Sequence, residues 1–137
     1  MTRALDAQRR EPVSDETRSC VVFLHGYGAN AADLIGLADP LAEHMPDTLF
    51  ISPDAPEECL GAPMGRQWFP SPWIDGASEE ESKRGLDAAA ADLDAFLEGV
   101  MVDEDLLPEQ VMVLGFSQGT MMALHVVPRR EDAIAGI

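Results

Sequence analysis

Apolar and polar positions along the chain follow two rhythms, and each rhythm predicts an element. Cys20-Val21-Val22-Phe23-Leu24 is a short unbroken apolar run, the pattern of a strand buried on both faces. Thr48-Leu49-Phe50-Ile51 and Val111-Met112-Val113-Leu114 repeat that pattern. Other stretches carry the helical spacing. Leu34, Leu37 and Ala38 follow Asn30, a residue able to cap a helix. Pro40 interrupts this pattern, so Asp39 is expected to cap a further short turn that reaches Met45 and ends at Pro46. The longest stripe is Leu86, Ala90, Leu93, Phe96, Leu97 and Val100, with Asp87, Asp92, Asp94 and Glu98 facing elsewhere. Ser78 opens it, and Glu81 three positions on predicts a capping box. A last helix is expected from Gln118 to Val127, stopped by Pro128, and 133–137 reads as the start of another strand.

Two stretches fit neither rhythm. Residues 1–18 are polar and read as a short edge strand or a frayed lead. Residues 53–77 hold five of the ten prolines, with Gly61, Gly65 and Gly76. A loop of that length is a lid, a binding loop or disordered. Trp68, Trp73, Phe69 and Met64 lie in it, and disordered segments are poor in such residues. An ordered loop covering a site is therefore expected. Strands alternating with helices predict an α/β fold: a mostly parallel sheet with helices on both faces, in a single domain over 1–137. Right-handed crossovers put the loops after Leu24 and Leu114 at one end of that sheet.

The chemistry gathers at that end. Ser117 stands between Gly115 and Gly119, after a strand and before a helix. Gly-x-Ser-x-Gly in that setting is the nucleophile-elbow arrangement, a sharp turn that lifts a hydroxyl above the sheet. The N–H of Gln118 would face the oxygen that turns negative during acyl transfer. A second donor comes from a loop of the His-Gly type after an earlier strand. Here that loop is His25-Gly26-Tyr27-Gly28, and the Tyr27 N–H is the expected donor.

Charge and composition narrow the partners. The formal net charge is −16, from 25 acidic and 9 basic residues. That excludes nucleic acid and stable docking on anionic lipid as working partners. Twelve of the acids fall between Asp75 and Glu109 and read as a solvated helix face. The first ten residues have no apolar core for a signal peptide, so a cytoplasmic location is expected. Cys20 and Cys59 have neither metal nor redox spacing, and Cys20 reads as a small buried residue.

Phe23-Leu24-His25-Gly26-Tyr27-Gly28, Ser52-Pro53-Asp54-Ala55-Pro56, Gly65-Arg66-Gln67-Trp68-Phe69 and Gly115-Phe116-Ser117-Gln118-Gly119 together resemble the phospholipase/carboxylesterase family. This is the α/β-hydrolase branch that contains acyl-protein thioesterases and small bacterial carboxylesterases. The resemblance implies hydrolysis of small carboxylic esters or thioesters through an acyl-serine, with no metal or organic cofactor. It places the nucleophile on Ser117 and the backbone oxyanion donors on Tyr27 and Gln118. Many members carry leucine where Tyr27 stands, and only the backbone matters for the donor role. It puts Trp68, His25 and Gly26 beside the substrate, although Trp68 also reads as an aromatic packed under the loop.

One part of the family pattern has no counterpart. The triad acid and histidine of α/β-hydrolases follow the elbow helix in sequence. The C-terminal strands that carry them are expected to be missing from this chain. His125 lies eight residues into the elbow helix, roughly 12 Å along its axis from Ser117, out of hydrogen-bond reach. His44 reads as a surface residue and Asp54 as a turn residue. His25 is the histidine nearest the site, and its expected role is structural. The chain is therefore expected to be a weak or inactive catalyst alone, a fragment or a pseudoenzyme, with an apolar sheet edge open to self-association. Two rival readings remain. One is a non-catalytic binding module built on the aromatic loop. The other is a dinucleotide-binding domain, since Gly26-Tyr27-Gly28-Ala29-Asn30-Ala31 fits Gly-x-Gly-x-x-Ala between a strand and a helix.

Overall fold

The three apolar runs become the centre of a four-stranded sheet. The computed structural model describes residues 1–137. Strand β1 is Ala7–Arg10, β2 is Ser19–Leu24 and β3 is Thr48–Pro53. A two-residue ladder joins β4, Glu57–Glu58, to β5, Arg66–Gln67, and β6 is Val111–Gly115. The main sheet runs β1-β3-β2-β6. β2 is parallel to both β3 and β6, and β1 closes the far edge antiparallel to β3. The polar lead therefore holds an edge strand, where its arginines and glutamine meet solvent on a strand with one free side.

The period of two along each strand divides the core. Cys20, Val22, Leu24, Leu49, Ile51, Val111 and Val113 face one side and pack on helices α4, Glu79–Asp103, and α5, Gln118–Val126. Val21, Phe23 and Phe50 face the other side, against α1, Ala31–Ile35, and α2, Ala38–Ala42. Phe23 and Phe50 stack there with ring centroids 5.9 Å apart. Of the expected stripe on α4, Leu93, Leu97 and Val100 are buried and Leu86, Ala90 and Phe96 partly so. Asp92, expected to face elsewhere, is buried as well and accepts from Arg3 at 2.7 and 2.8 Å. Burying a leucine side chain contributes about 1.5–3 kcal/mol, so this stripe is a main reason why a helix so rich in acids forms at all.

Beyond β6, Val113 N–H donates to Gly136 O at 3.1 Å and Ala135 N–H to Val111 O at 2.8 Å. Residues 135–137 thus begin the parallel partner that the pattern predicts. On the α1/α2 side β6 has no cover. Met112 and Leu114 are 45% and 39% exposed, and Phe116 just past the strand is 65% exposed. A run that reads as buried on both faces is buried on one.

Three further details differ from the sequence expectation. Asp39 caps nothing: α2 begins at Ala38 with Leu37 before it, and no side chain bonds its first amides. The chain stays in the right-handed helical region through Gly36 and Leu37, which leaves no extended residue to act as a cap. Asp39 pairs with Arg10 instead, at 3.0 Å. At Ser78 only half of the box forms, Glu81 N–H to the serine hydroxyl at 3.1 Å. Residues 53–77, expected as one long loop, also hold the β4–β5 ladder and a four-residue helix α3, Pro72–Asp75.

Candidate functional site

The site grows from the end of β6. Phe116 N–H donates to Leu24 O at 3.0 Å, which carries the β2–β6 ladder one residue past the strand. The chain then reverses at Ser117, with φ 54° and ψ −117°. A positive φ on a residue with a side chain stores on the order of 1–3 kcal/mol, and the surroundings must hold it there. The neighbouring glycines show how. A Cβ on Gly115 would sit 2.6 Å from Gly119 O, and one on Gly119 would sit 2.0 Å from Leu24 O. No other residue fits either place. Ser117 is exposed, and its side chain caps no amide of α5. As first residue of that helix, Gln118 has an N–H without an acceptor inside the helix.

The loop after β2 lies against this turn. A Cβ on Gly26 would be 3.2 Å from Ser117 Cβ. Gly28, at φ 82°, bends the loop and donates its N–H to Arg66 O at 2.9 Å, while Ala29 N–H returns to Gly26 O at 3.1 Å. The Tyr27 N–H between them has no acceptor within the protein. Both amides expected from the sequence are thus uncommitted.

His25 is fully buried, and its ring explains how the Tyr27 amide is aimed. Nε2 accepts Ala55 N–H at 2.9 Å, so the ring proton is on Nδ1, which donates to Gly26 O at 2.8 Å. Both nitrogens are committed and the ring is neutral. Burial pushes its pKa below the ordinary histidine value, against the opposing pull of the Gly26 carbonyl. The Gly26 carbonyl and the Tyr27 N–H belong to one trans peptide and point in opposite directions. Fixing the carbonyl therefore fixes the amide. His25 cannot take a proton from Ser117 without giving up one of these bonds.

The resemblance put Trp68 and His25 beside the substrate, with an aromatic packed under the loop and a structural histidine as their other readings, and both side chains are fully buried. Trp68 is fully enclosed and donates its indole N–H to His25 O at 2.8 Å, with the two rings 5.6 Å apart. These two side chains support the loop from behind. The Gln118 side chain, unnoticed in the sequence, ties the pieces together. Its Oε1 accepts Trp68 N–H and its Nε2 donates to Phe69 O, each at 2.8 Å. A small residue in the same place could not make both bonds, and only the long amide after the serine hints at them. Asp54 accepts Ala31 N–H at 2.8 Å and Asn30 accepts Asp33 N–H at 3.2 Å, so the first turn of α1 is already capped by acids and amides. The carboxylates of Asp33 and Asp54 stand at that helix start and would repel a pyrophosphate, which weakens the physical basis of the dinucleotide reading. His44 is exposed and His125 half-buried on the outer part of α5. No three His, Cys, Asp or Glu side chains are placed to hold a metal ion.

Comparison with known proteins gives the family. Residues 8–137 match the model of the phospholipase/carboxylesterase family, and the chain belongs to that family. Among its relatives is an acyl-protein thioesterase 1 of Saccharomyces cerevisiae, 31% identical over 133 residues, covering 88% of this chain and 56% of that protein. Esterase PE8 superposes with a TM-score of 0.87 at 36% identity, over 96% of this chain and 60% of its own. Acyl-protein thioesterase 2 of Zea mays does so with 0.61 at 27% identity, over 89% of this chain and 50% of its own. The architecture is that of the α/β-hydrolases, and the chain is a carboxylesterase/thioesterase-type hydrolase scaffold by family. It spans 50–60% of the length of these relatives. No helix is long and apolar enough to cross a membrane.

Proposed function

We propose that Ser117 is the nucleophile of an acyl transfer from a small carboxylic ester or thioester, and that the amides of Tyr27 and Gln118 receive the oxyanion. The observation that carries this reading is the strained turn at Ser117, which sets an exposed hydroxyl against Gly26 and beside an uncommitted Tyr27 N–H. In the reaction, the Ser117 oxygen attacks the acyl carbon and its proton passes to a base. The carbonyl oxygen gains the negative charge, and the two amides stabilise it where it develops. Collapse expels the alcohol or thiol, which takes a proton, and leaves an acyl-serine for water to cleave. No metal or organic cofactor enters any of these steps.

The base is the part this stretch of chain does not supply. His25 is committed at both nitrogens, and His44 and His125 lie outside the turn. We infer that the base and its acid belong to the portion of the fold that the longer relatives carry, and that residues 1–137 alone react slowly. Removing a triad member leaves only the residual catalysis of the oxyanion donors and binding. A pseudoenzyme or binding role is the second reading, favoured by the absence of any hydrogen-bonded base at Ser117. Self-association through an exposed sheet edge, and a cytoplasmic location, go with either reading.

A fluorophosphonate probe and a chromogenic short-chain ester test this. The probe is expected to label Ser117 slowly, with labelling lost in Ser117→Ala. Labelling that persists in Ser117→Ala would overturn the assignment. Ester turnover by the 137-residue chain at the rate of an ordinary esterase, abolished by Ser117→Ala, would overturn the claim that the base is absent.

A further inference from the structure

The Tyr27 amide sits between two glycines, in the most flexible kind of backbone, and the residue's other end is tied down. The phenol donates a hydrogen bond to Asp75 at 3.1 Å, across 48 residues of sequence. Asp75 is also the closing residue of α3. Its carboxylate accepts Ser71 N–H at 2.9 Å and Ala77 N–H at 2.9 Å, so one side chain holds both ends of that turn. The Cys59 thiol is the other titratable group facing the phenol.

The geometry points to Tyr27 as a positioning residue in two directions: its N–H faces the developing oxyanion, and its hydroxyl latches the oxyanion loop to the α3 turn through Asp75. This rests on the proposed acyl transfer at Ser117. His25 sets the plane of the Gly26–Tyr27 peptide from behind. The latch restrains the same residue from the solvent side, where Gly26 and Gly28 leave φ and ψ free. A leucine in this place would keep the amide and lose the restraint. The charge state fits the role. Burial, then the Cys59 thiol and the Asp75 carboxylate, push the phenol above the ordinary tyrosine value, so it remains a donor. Burial opposes ionisation of Asp75, but the amides of Ser71 and Ala77 and the phenol outweigh it and hold the carboxyl below its usual value.

Tyr27 is the one tyrosine of the chain, which makes the test clean. Amide hydrogen exchange is followed at Gly28 and Ala29 in the loop and at Ile74 and Asp75 in α3, all of them hydrogen-bonded amides. Tyr27→Phe is expected to speed exchange at both places by about three- to tenfold, the loss of one solvent-facing hydrogen bond, and Asp75→Ala by at least as much, since it also frees the Ser71 and Ala77 amides. The double variant is expected to add nothing further at Gly28 and Ala29. Ultraviolet titration is expected to show tyrosinate forming at lower pH in Asp75→Ala than in the parent. With fluorophosphonate, Tyr27→Phe is expected to lower the maximal labelling rate of Ser117 by a similar factor while the half-saturating probe concentration stays put. Unchanged exchange at Gly28 and Ala29 in Tyr27→Phe would overturn the latch. No labelling of Ser117 in any form, with coupled exchange intact, would overturn the acyl-transfer reading and leave the latch standing.

Discussion

Trp68 and Trp73 belong to one loop, five positions apart, and the protein treats them in opposite ways. Trp68 is 0% exposed and Trp73 is 94% exposed. Trp68 lies where the loop passes over β2 and is bonded through its main-chain amide to Gln118 and through its indole to His25. Trp73 lies in α3, which is held by Asp75 and by turn hydrogen bonds to Ser71. The inner half of the loop is part of the core and supports the turn at Ser117. The outer half is exposed and fastened by a few polar contacts. A wall of the site that must not move is built from close packing and buried bonds, and one that can move is built from exposed bonds.

The largest effect is expected where packing leaves no room at all. Gly119→Ala drives a methyl to within 2.0 Å of Leu24 O and 2.7 Å of His25 O, both main-chain atoms that cannot step aside. A loss of more than about 4 kcal/mol is expected, and with it the cooperative thermal transition. Gly28→Ala is the matching change in the loop after β2, where there is room. Nothing lies within 4 Å of the added carbon, so only the strain of φ 82° remains, about 1–2 kcal/mol. Chemical denaturation of the two variants side by side checks the contrast, and equal losses would remove it.

Trp68→Ala comes next. It empties a fully enclosed site and leaves the His25 carbonyl without its indole donor. A loss of about 3–5 kcal/mol is expected from denaturation. The same variant should lose order at the Ser117 turn, because the amide of residue 68 is what Gln118 grips.

His25 gives the inner wall a pH dependence in the histidine range, whereas the shifted group of the outer one, Asp75, responds in the lower, carboxylate range. Its folded pKa is below that of the unfolded chain, so the unfolded state binds the extra proton first. The stabilisation is complete above the ordinary histidine value of about 6.5 and is lost as pH falls from there toward the folded value. Denaturation midpoints measured downward from neutral pH are expected to drop through that window. In His25→Asn the drop should be shallower, starting from a lower midpoint. An unchanged slope would mean that the ring is charged inside the fold.

Which of these features could be read in the sequence follows from their physical range. Strands β2 and β3 were legible because burial on both faces writes an unbroken apolar run, and Ser117 because the turn tolerates only glycine at positions 115 and 119. The opening of β6 to solvent at Met112 and Leu114 was not visible in the strand itself, since the same run serves an edge and a centre. The Gln118 clamp and the two bonds of the His25 ring join residues up to 50 positions apart, and no local pattern records them. The β4–β5 ladder has two pairs, too few for a period to show. Asp39 failed as a cap because the helical backbone ran on through Leu37, a choice that tertiary packing makes.

The smallest effect tests the outer wall. Trp73→Ser removes the largest exposed side chain of α3, yet that ring covers no core atom that burial would miss. The stability change is expected to stay within about 0.5 kcal/mol. The chain holds two tryptophans, so fluorescence separates the walls without further labels. In Trp73→Ser the remaining emission comes from Trp68 alone, and it should be blue-shifted and poorly quenched by acrylamide. The component lost should be red-shifted and freely quenched. If instead Trp73→Ser destabilises the fold by as much as Trp68→Ala, the outer half of the loop is core as well. The site would then have two rigid walls rather than a rigid one and a loose one.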